Sequence, residues 1–217
     1  MFHNCERTSH MRKNRSHSRS IITSPVSYNI LRAMLTSTRS FRQMEIAHRA
    51  KASAPQVSRV LRWLLDRGYA ERQPDGKYRV RSAVTIVGSA IPFQRSMSSS
   101  LIVSFRLRGN KEEIKKLLLK EGAILCLESA LEEYSRYYRS ERMSVYHTNP
   151  EKLSRIIEEL EGGIMQVNVY YPDISLKNDV EKWRRTTKFR TVVDLACDGR
   201  IYAAKDLLKS LWGVSIE

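Results

Sequence analysis

The sequence predicts an α+β protein: three short helices closed by a β-hairpin, then a second half in which strands and helices alternate. Three observations predict it. Apolar residues recur at helical spacing in three stretches between Val26 and Leu65, each opened by serine-based start chemistry. Gln73-Pro74-Asp75-Gly76 is a turn between two segments of strand character. Beyond Ser100, the apolar pattern switches repeatedly between strand-like runs and a helical period.

The elements follow in order. Ser24-Pro25 combines a capping serine with a proline in the first turn, and Val26, Ile30, Leu31, Met34 and Leu35 then mark a first helix. Ser40 and Gln43 have capping-box spacing and predict a second helix through Ile46 and Ala47 to about Lys51. Ser53 and Gln56 repeat that spacing with Pro55 in the first turn, so a third helix starts at about Ala54. On its wheel Val57, Val60, Leu61, Leu64 and Leu65 share one arc; Pro55, Gln56, Arg59, Arg62 and Asp66 share the opposite one. Gly68 suits the left-handed position after this helix, and residues 69–72 and 77–80 form the hairpin strands.

The second half predicts strands at 101–107, 143–147 and 164–171, with helices at 111–120, 123–134, after Pro150, 189–197 and 201–212. Arg190, Asp194 and Asp198 are spaced four apart, which favours an ion pair within one helix over a catalytic pair of carboxylates. His147 stands alone at a strand end and is expected as a surface or packing residue.

Charge is unevenly distributed. The 217 residues carry a net +15; residues 1–81 hold 17 Lys and Arg against 5 Asp and Glu, residues 82–217 hold 21 against 18. A local excess of that kind attracts a polyanion. No run of about eighteen apolar residues offers a membrane span, and the polar, basic first twenty residues lack the apolar stretch of a secretory signal, so a cytoplasmic protein without membrane contact is expected. Met11 offers an alternative start. Cys5, Cys126 and Cys197 are an odd number at wide spacing and are expected to be reduced; no metal and no cofactor is expected. There is no phosphate loop, dinucleotide fingerprint, nucleophile elbow or Cys-x-x-Cys pair.

The stretch MEIAHRAKASAPQVSRVLRWLLDRGYAERQPDGKYRV resembles bacterial and archaeal regulators of the MarR and ArsR type, through Glu45-Ile46-Ala47, Ser53, Val57-Ser58-Arg59, Leu61, Leu64 and Gly68-Tyr69. The resemblance implies a winged helix-turn-helix over residues 25–81, hence a sequence-specific regulator of transcription that binds double-stranded DNA, commonly as a homodimer. On that reading Gln56, Arg59 and Arg62 face the major groove. Ser40 and Gln43 at the start of the second helix hold a phosphate with its backbone amides, Ser53, Pro55 and Ser58 belong to the same DNA-binding surface, and Arg72, Lys77 and Arg79 reach phosphates or the minor groove. A fainter similarity links the second half to AbiEi-type antitoxins. It rests on Leu127-Glu128-Ser129-Ala130-Leu131, the strand into Tyr170-Tyr171, and Thr187-Lys188-Phe189-Arg190-Thr191-Val192-Val193-Asp194-Leu195. It implies a regulatory or partner-binding domain without catalysis.

The expected division is a disordered basic tail over 1–20, a winged helix-turn-helix over 21–81, a linker over 82–100 and a mixed α/β domain over 101–217, the last open to a protein partner or small-molecule effector. Two other classes stay open: a nucleotidyltransferase-like enzyme carried to nucleic acid by its winged helix, prompted by Gly88-Ser89, and an adaptor whose basic face meets an acidic protein.

Overall fold

The computed structural model describes residues 24–90 and 97–214; the expected basic tail over 1–20 and residues 91–96 of the expected linker lie outside the described residues. The protein is of mixed α and β structure. Helix α1 (Pro25–Leu35) begins where Ser24 accepts the Ser27 N–H at 3.1 Å, and it buries Ile30, Leu31, Met34 and Leu35. Helix α2 (Gln43–Ala50) departs from expectation. Its N-cap is Arg42, without a side-chain cap, and the Ser40–Gln43 capping box does not form. Phe41 instead runs extended against Tyr78, donating to its carbonyl at 3.0 Å and accepting from its N–H at 2.8 Å, which carries Ser40 away from the helix start.

Lys51 turns the chain in the left-handed region, at φ 50° and ψ 46°, and helix α3 (Ala54–Asp66) follows after two residues. At its start the Gln56 carboxamide oxygen accepts the Ser53 N–H at 2.9 Å. Val57, Val60, Leu61 and Leu64 are buried as expected, whereas Leu65 is half-buried and Trp63 is buried in its place. Trp63 packs against the Tyr69 ring at 5.6 Å and under the Arg67 guanidinium at 4.6 Å, so the residues just after the helix widen its covered arc. Strands β1 (Ala70–Arg72) and β2 (Tyr78–Val80) pair antiparallel, with Ala70 opposite Val80 and Arg72 opposite Tyr78.

The described part of the expected linker is packed. Helix α4 (Ala83–Thr85) runs into a π-helical turn over Ile86–Ala90, and Ile86, Val87 and Met97 are fully buried. Two adjacent β-branched residues with no polar atoms gain more from burial than from the mobility of a linker.

The second half is built on a four-stranded mixed sheet of order β3-β6-β5-β4. Strand β3 (Leu101–Leu107) runs antiparallel to β6 (Met165–Tyr170), β5 (Arg142–Tyr146) parallel to β6, and β4 (Ile124–Leu125) antiparallel to β5. The helices are α5 (Lys111–Lys120), α6 (Leu127–Glu132), α7 (Ser154–Leu160), α8 (Lys188–Cys197) and α9 (Lys205–Trp212). The single helix expected over 123–134 is interrupted: Ile124 and Leu125 pair with Tyr146 and Val145, Leu125 donates to the Arg184 carbonyl at 2.8 Å, and α6 starts only after this strand. Ile164, expected to open β6, is exposed just outside it. No helix among the described residues is long and apolar enough to cross a membrane.

One face of the sheet closes over Ile114, Leu118, Leu153, Val145, Val167 and Val169. A second cluster runs without a break from α1 and α3 through Ile86 and Val87 to α8 and α9, so the N-terminal unit and the second half share a core. Polar contacts reinforce the seam. Asp179, fully buried, accepts the Tyr28 hydroxyl at 2.8 Å and the Arg32 Nε at 2.5 Å, and the Trp212 indole donates to the Leu35 carbonyl at 2.7 Å. Burial pushes the Tyr28 phenol far above its ordinary pKa, so it remains a donor to this carboxylate at all ordinary pH.

A shared core predicts that both halves unfold in one transition, with Trp fluorescence and far-UV circular dichroism giving the same urea midpoint. Asp179→Ala leaves a buried phenol without its acceptor and a partly exposed arginine without its counter-ion, and should cost about 1–3 kcal/mol in that experiment. Two separate transitions in the wild-type chain would show that the halves fold independently.

Candidate nucleic-acid interface

The surface of interest is the face of α3 turned away from the core, together with the hairpin. The burial of Val57, Val60, Leu61, Trp63 and Leu64 fixes the rotation of α3, leaving Pro55, Arg59 and Arg62 exposed and Ser58 half-buried. Neither Arg59 nor Arg62 forms an ion pair among the described residues; the ion pairs of this unit are Arg39–Glu45, Lys77–Asp75 and Arg81–Glu71. The positions are separated by three residues, so both guanidinium groups leave one side of the helix within a single turn.

The other expected contacts are placed less uniformly. Gln56 is turned back onto Ser53, whose hydroxyl and N–H both reach its oxygen at 2.9 Å, so that oxygen is engaged at the helix start. Gln43 donates to the Ala54 carbonyl at 3.1 Å and ties α2 to α3 instead of standing free. Ser40 is half-buried beside Phe41, and Ser53 is exposed. Gln43, Ser53 and Gln56 brace the connection between α2 and α3, from which the exposed arginines project.

On the hairpin, Arg72 and Arg79 are both exposed but do not share a face. Arg72 stands opposite Tyr78, and Arg79 opposite Glu71, so the strand alternation sends them to opposite sides. Lys77 is not a free cation: its Nζ lies 2.6 Å from Asp75 at the tip of the turn. The hydrogen bonds from the Lys77 side chain and backbone hold the Asp75 carboxyl below the ordinary carboxylate range, so this negative charge persists into acid.

Two further cations, both outside the residues expected from the sequence, stand at the two ends of α2. Arg42, exposed at the α2 N-cap, is near enough to Asp75 to help hold its charge. Arg49 lies 4.7 Å above the ring of the buried Phe41, with Arg39 at 4.9 Å from the same ring. A basic residue directly before a helix and another in its last turn were the available signals.

Elsewhere, Cys126 and Cys197 are buried. His147 is buried, with Nε2 at 3.1 Å from the Glu121 carbonyl and Nδ1 accepting the Asn149 N–H, which makes it a packing residue. No group of three His, Cys, Asp or Glu able to hold a metal occurs among the described residues. Comparison of the chain with protein-family models, with curated proteins and with solved structures finds no match.

Asp75→Asn removes the one carboxylate at the hairpin tip and releases Lys77. Binding to a random-sequence duplex should tighten, and its log–log salt dependence should steepen by about one phosphate contact. Fluorescence anisotropy titrations at several salt concentrations read both; an unchanged slope would place the hairpin tip away from the duplex.

Proposed function

We propose that residues 25–81 act as a winged helix-turn-helix that binds double-stranded DNA, and that the protein is a sequence-specific transcriptional regulator of the cytoplasm, not an enzyme. The observation that carries this reading is α3, with one face buried to the core and the other presenting Arg59 and Arg62 unpaired among the described residues. The order of three helices and a hairpin, the Phe41–Tyr78 bridge and the MarR and ArsR resemblance of residues 44–80 support the same reading.

In it, α3 enters the major groove by its N-terminal half. Arg59 and Arg62 can each grip guanine through O6 and N7, while Arg42 and one of the hairpin arginines hold phosphates on either side. Ser53 and Gln56, occupied with each other, shape the helix start more than they read bases. A homodimer doubles the contact and matches a palindromic site. The second half then dimerises or holds a partner or effector, in line with the similarity to AbiEi-type antitoxins.

Selection of bound sequences from a random duplex pool tests the proposal directly, and enrichment of a palindrome is the expected result. On the selected site, Arg59→Ala should cost about 1–3 kcal/mol and cost little on random DNA. Arg79→Ala and Arg72→Ala lie on opposite hairpin faces, so only one of them should lower affinity, by the same factor on both duplexes. Equal losses for Arg59→Ala on selected and random DNA would reduce this residue to an electrostatic contact; failure to enrich any sequence would remove the proposed function.

A further inference from the structure

A second surface, remote in sequence from α3, combines exposed aromatic rings with unpaired cations. Val180 and Thr186 bridge antiparallel, Glu181 donates to the Arg185 carbonyl at 2.8 Å, and the Arg184 N–H returns to the Glu181 carbonyl at 3.0 Å. The Glu181 and Arg185 side chains close the neck of this turn at 2.9 Å. Lys182, Trp183 and Arg184 form its apex. The turn is well braced, yet Trp183 is 76% exposed, and Arg184 sits in the left-handed region at φ 51°, a conformation that costs a non-glycine residue free energy. Hydrophobic burial explains none of this. The braced and strained turn thus holds an indole out in solvent beside two cations.

The loop after α6 lies against it. The Arg185 guanidinium is 4.4 Å from the Tyr134 ring and donates to the Glu133 carbonyl at 3.3 Å, and the Tyr134 hydroxyl donates to the Thr186 carbonyl at 2.7 Å. From that loop Tyr137 projects with 92% of its surface exposed, between Arg136 and Arg139. The carboxylates Glu133 and Glu181 are both bound by Arg185. Arg136, Arg139, Lys182, Arg184 and Lys188 are exposed and form no ion pair among the described residues. Five such cations stand out in a half of the chain with 21 basic against 18 acidic residues.

We propose that this turn and loop bind single-stranded nucleic acid, Trp183 and Tyr137 stacking on unpaired bases while the surrounding cations hold the phosphates. Duplexes keep their base faces stacked and out of reach, so exposed rings of this kind have nothing to grip there. A bilayer surface is the other polyanion that takes tryptophan and basic residues, but insertion needs aliphatic side chains, and neither 135–139 nor 182–184 carries one. The proposal does not depend on the reading of α3.

The test uses the full chain carrying Arg59→Ala and Arg62→Ala, so that the α3 face contributes little, titrated against fluorescein-labelled twelve-nucleotide uridine and thymidine oligomers in low salt. Both should bind and quench tryptophan fluorescence. Adding Trp183→Ala should weaken binding about ten-fold or more, while Trp183→Phe keeps most of the affinity by preserving a stacking face. Thermal midpoints of both variants should match the parent, since the indole is exposed. Trp183→Ala binding as tightly as the parent overturns the proposal, as does absence of oligomer binding in the Arg59→Ala/Arg62→Ala chain or equal affinity for a blunt duplex. A blue shift of tryptophan emission on phosphatidylglycerol vesicles, with no response to either oligomer, overturns it in favour of a membrane surface.

Discussion

The arrangement of the whole molecule depends on one buried cation. Arg190, on α8, is fully buried; its Nε meets Asp194 at 2.7 Å, and one terminal nitrogen reaches Asp173 at 2.5 Å and the Tyr146 hydroxyl at 3.1 Å. Its guanidinium also faces the rings of Tyr28 and Tyr146 at 5.7 and 5.5 Å. Burial works against its charge, but Asp194 and the surrounding groups outweigh that and raise its pKa well above the usual arginine value. An arginine cannot shed its proton to escape burial, so every partner must be in place before the core can close. These contacts join α8, the end of β5, the segment after β6 and α1 at one point of the shared core.

That constraint extends to the N-terminal unit through α1. Tyr28, under the Arg190 guanidinium, spends its hydroxyl on Asp179, and Asp179 in turn holds Arg32 one turn further along. Trp212 bonds to Leu35 at the far end of the same helix. Helix α1 is therefore gripped along its length by the second half, while α2, α3 and the hairpin face outward from it. Three helices of this size would bury little surface alone. Sharing core with α8 and α9 lets α3 keep one face free of packing.

What could be read from the sequence was whatever depends on near neighbours. Ser24-Pro25, Ser53 with Gln56, and the Pro74–Gly76 turn are local chemistry, and the elements they announce form where expected. The Arg190–Asp194 pair was equally visible from its spacing, but not its burial, because Asp173 and Tyr146 arrive from 17 and 44 residues away. The same reason hides the Phe41–Tyr78 bridge, which displaces the start of α2, and the packing of Ile86 and Val87, whose serine- and glycine-containing surroundings read as a linker. At the candidate interface the exposed residues of α3 were legible from the wheel. The division of Arg72 and Arg79 between two hairpin faces was not, since it depends on strand alternation within segments only three residues long.

The use of arginine separates the interior of this protein from its surfaces. Arg190, Arg200 and Arg32 each meet a carboxylate that is fully buried: Asp194, Glu128 and Asp179. Their charge is largely balanced within the fold by these carboxylates. Arg59 and Arg62 on α3, and Lys182 and Arg184 beside Trp183, lack such counter-ions among the described residues, although carboxylates are present in both regions. Self-repulsion between unpaired cations disfavours the compact state, and a chain shaped by stability alone would place acids beside them. Asp75 shows that it can do so, since at the hairpin tip one acid quenches one lysine. Leaving the other cations open is consistent with a counter-charge that comes from outside the chain, which is the physical content of reading both surfaces as places where a polyanion binds.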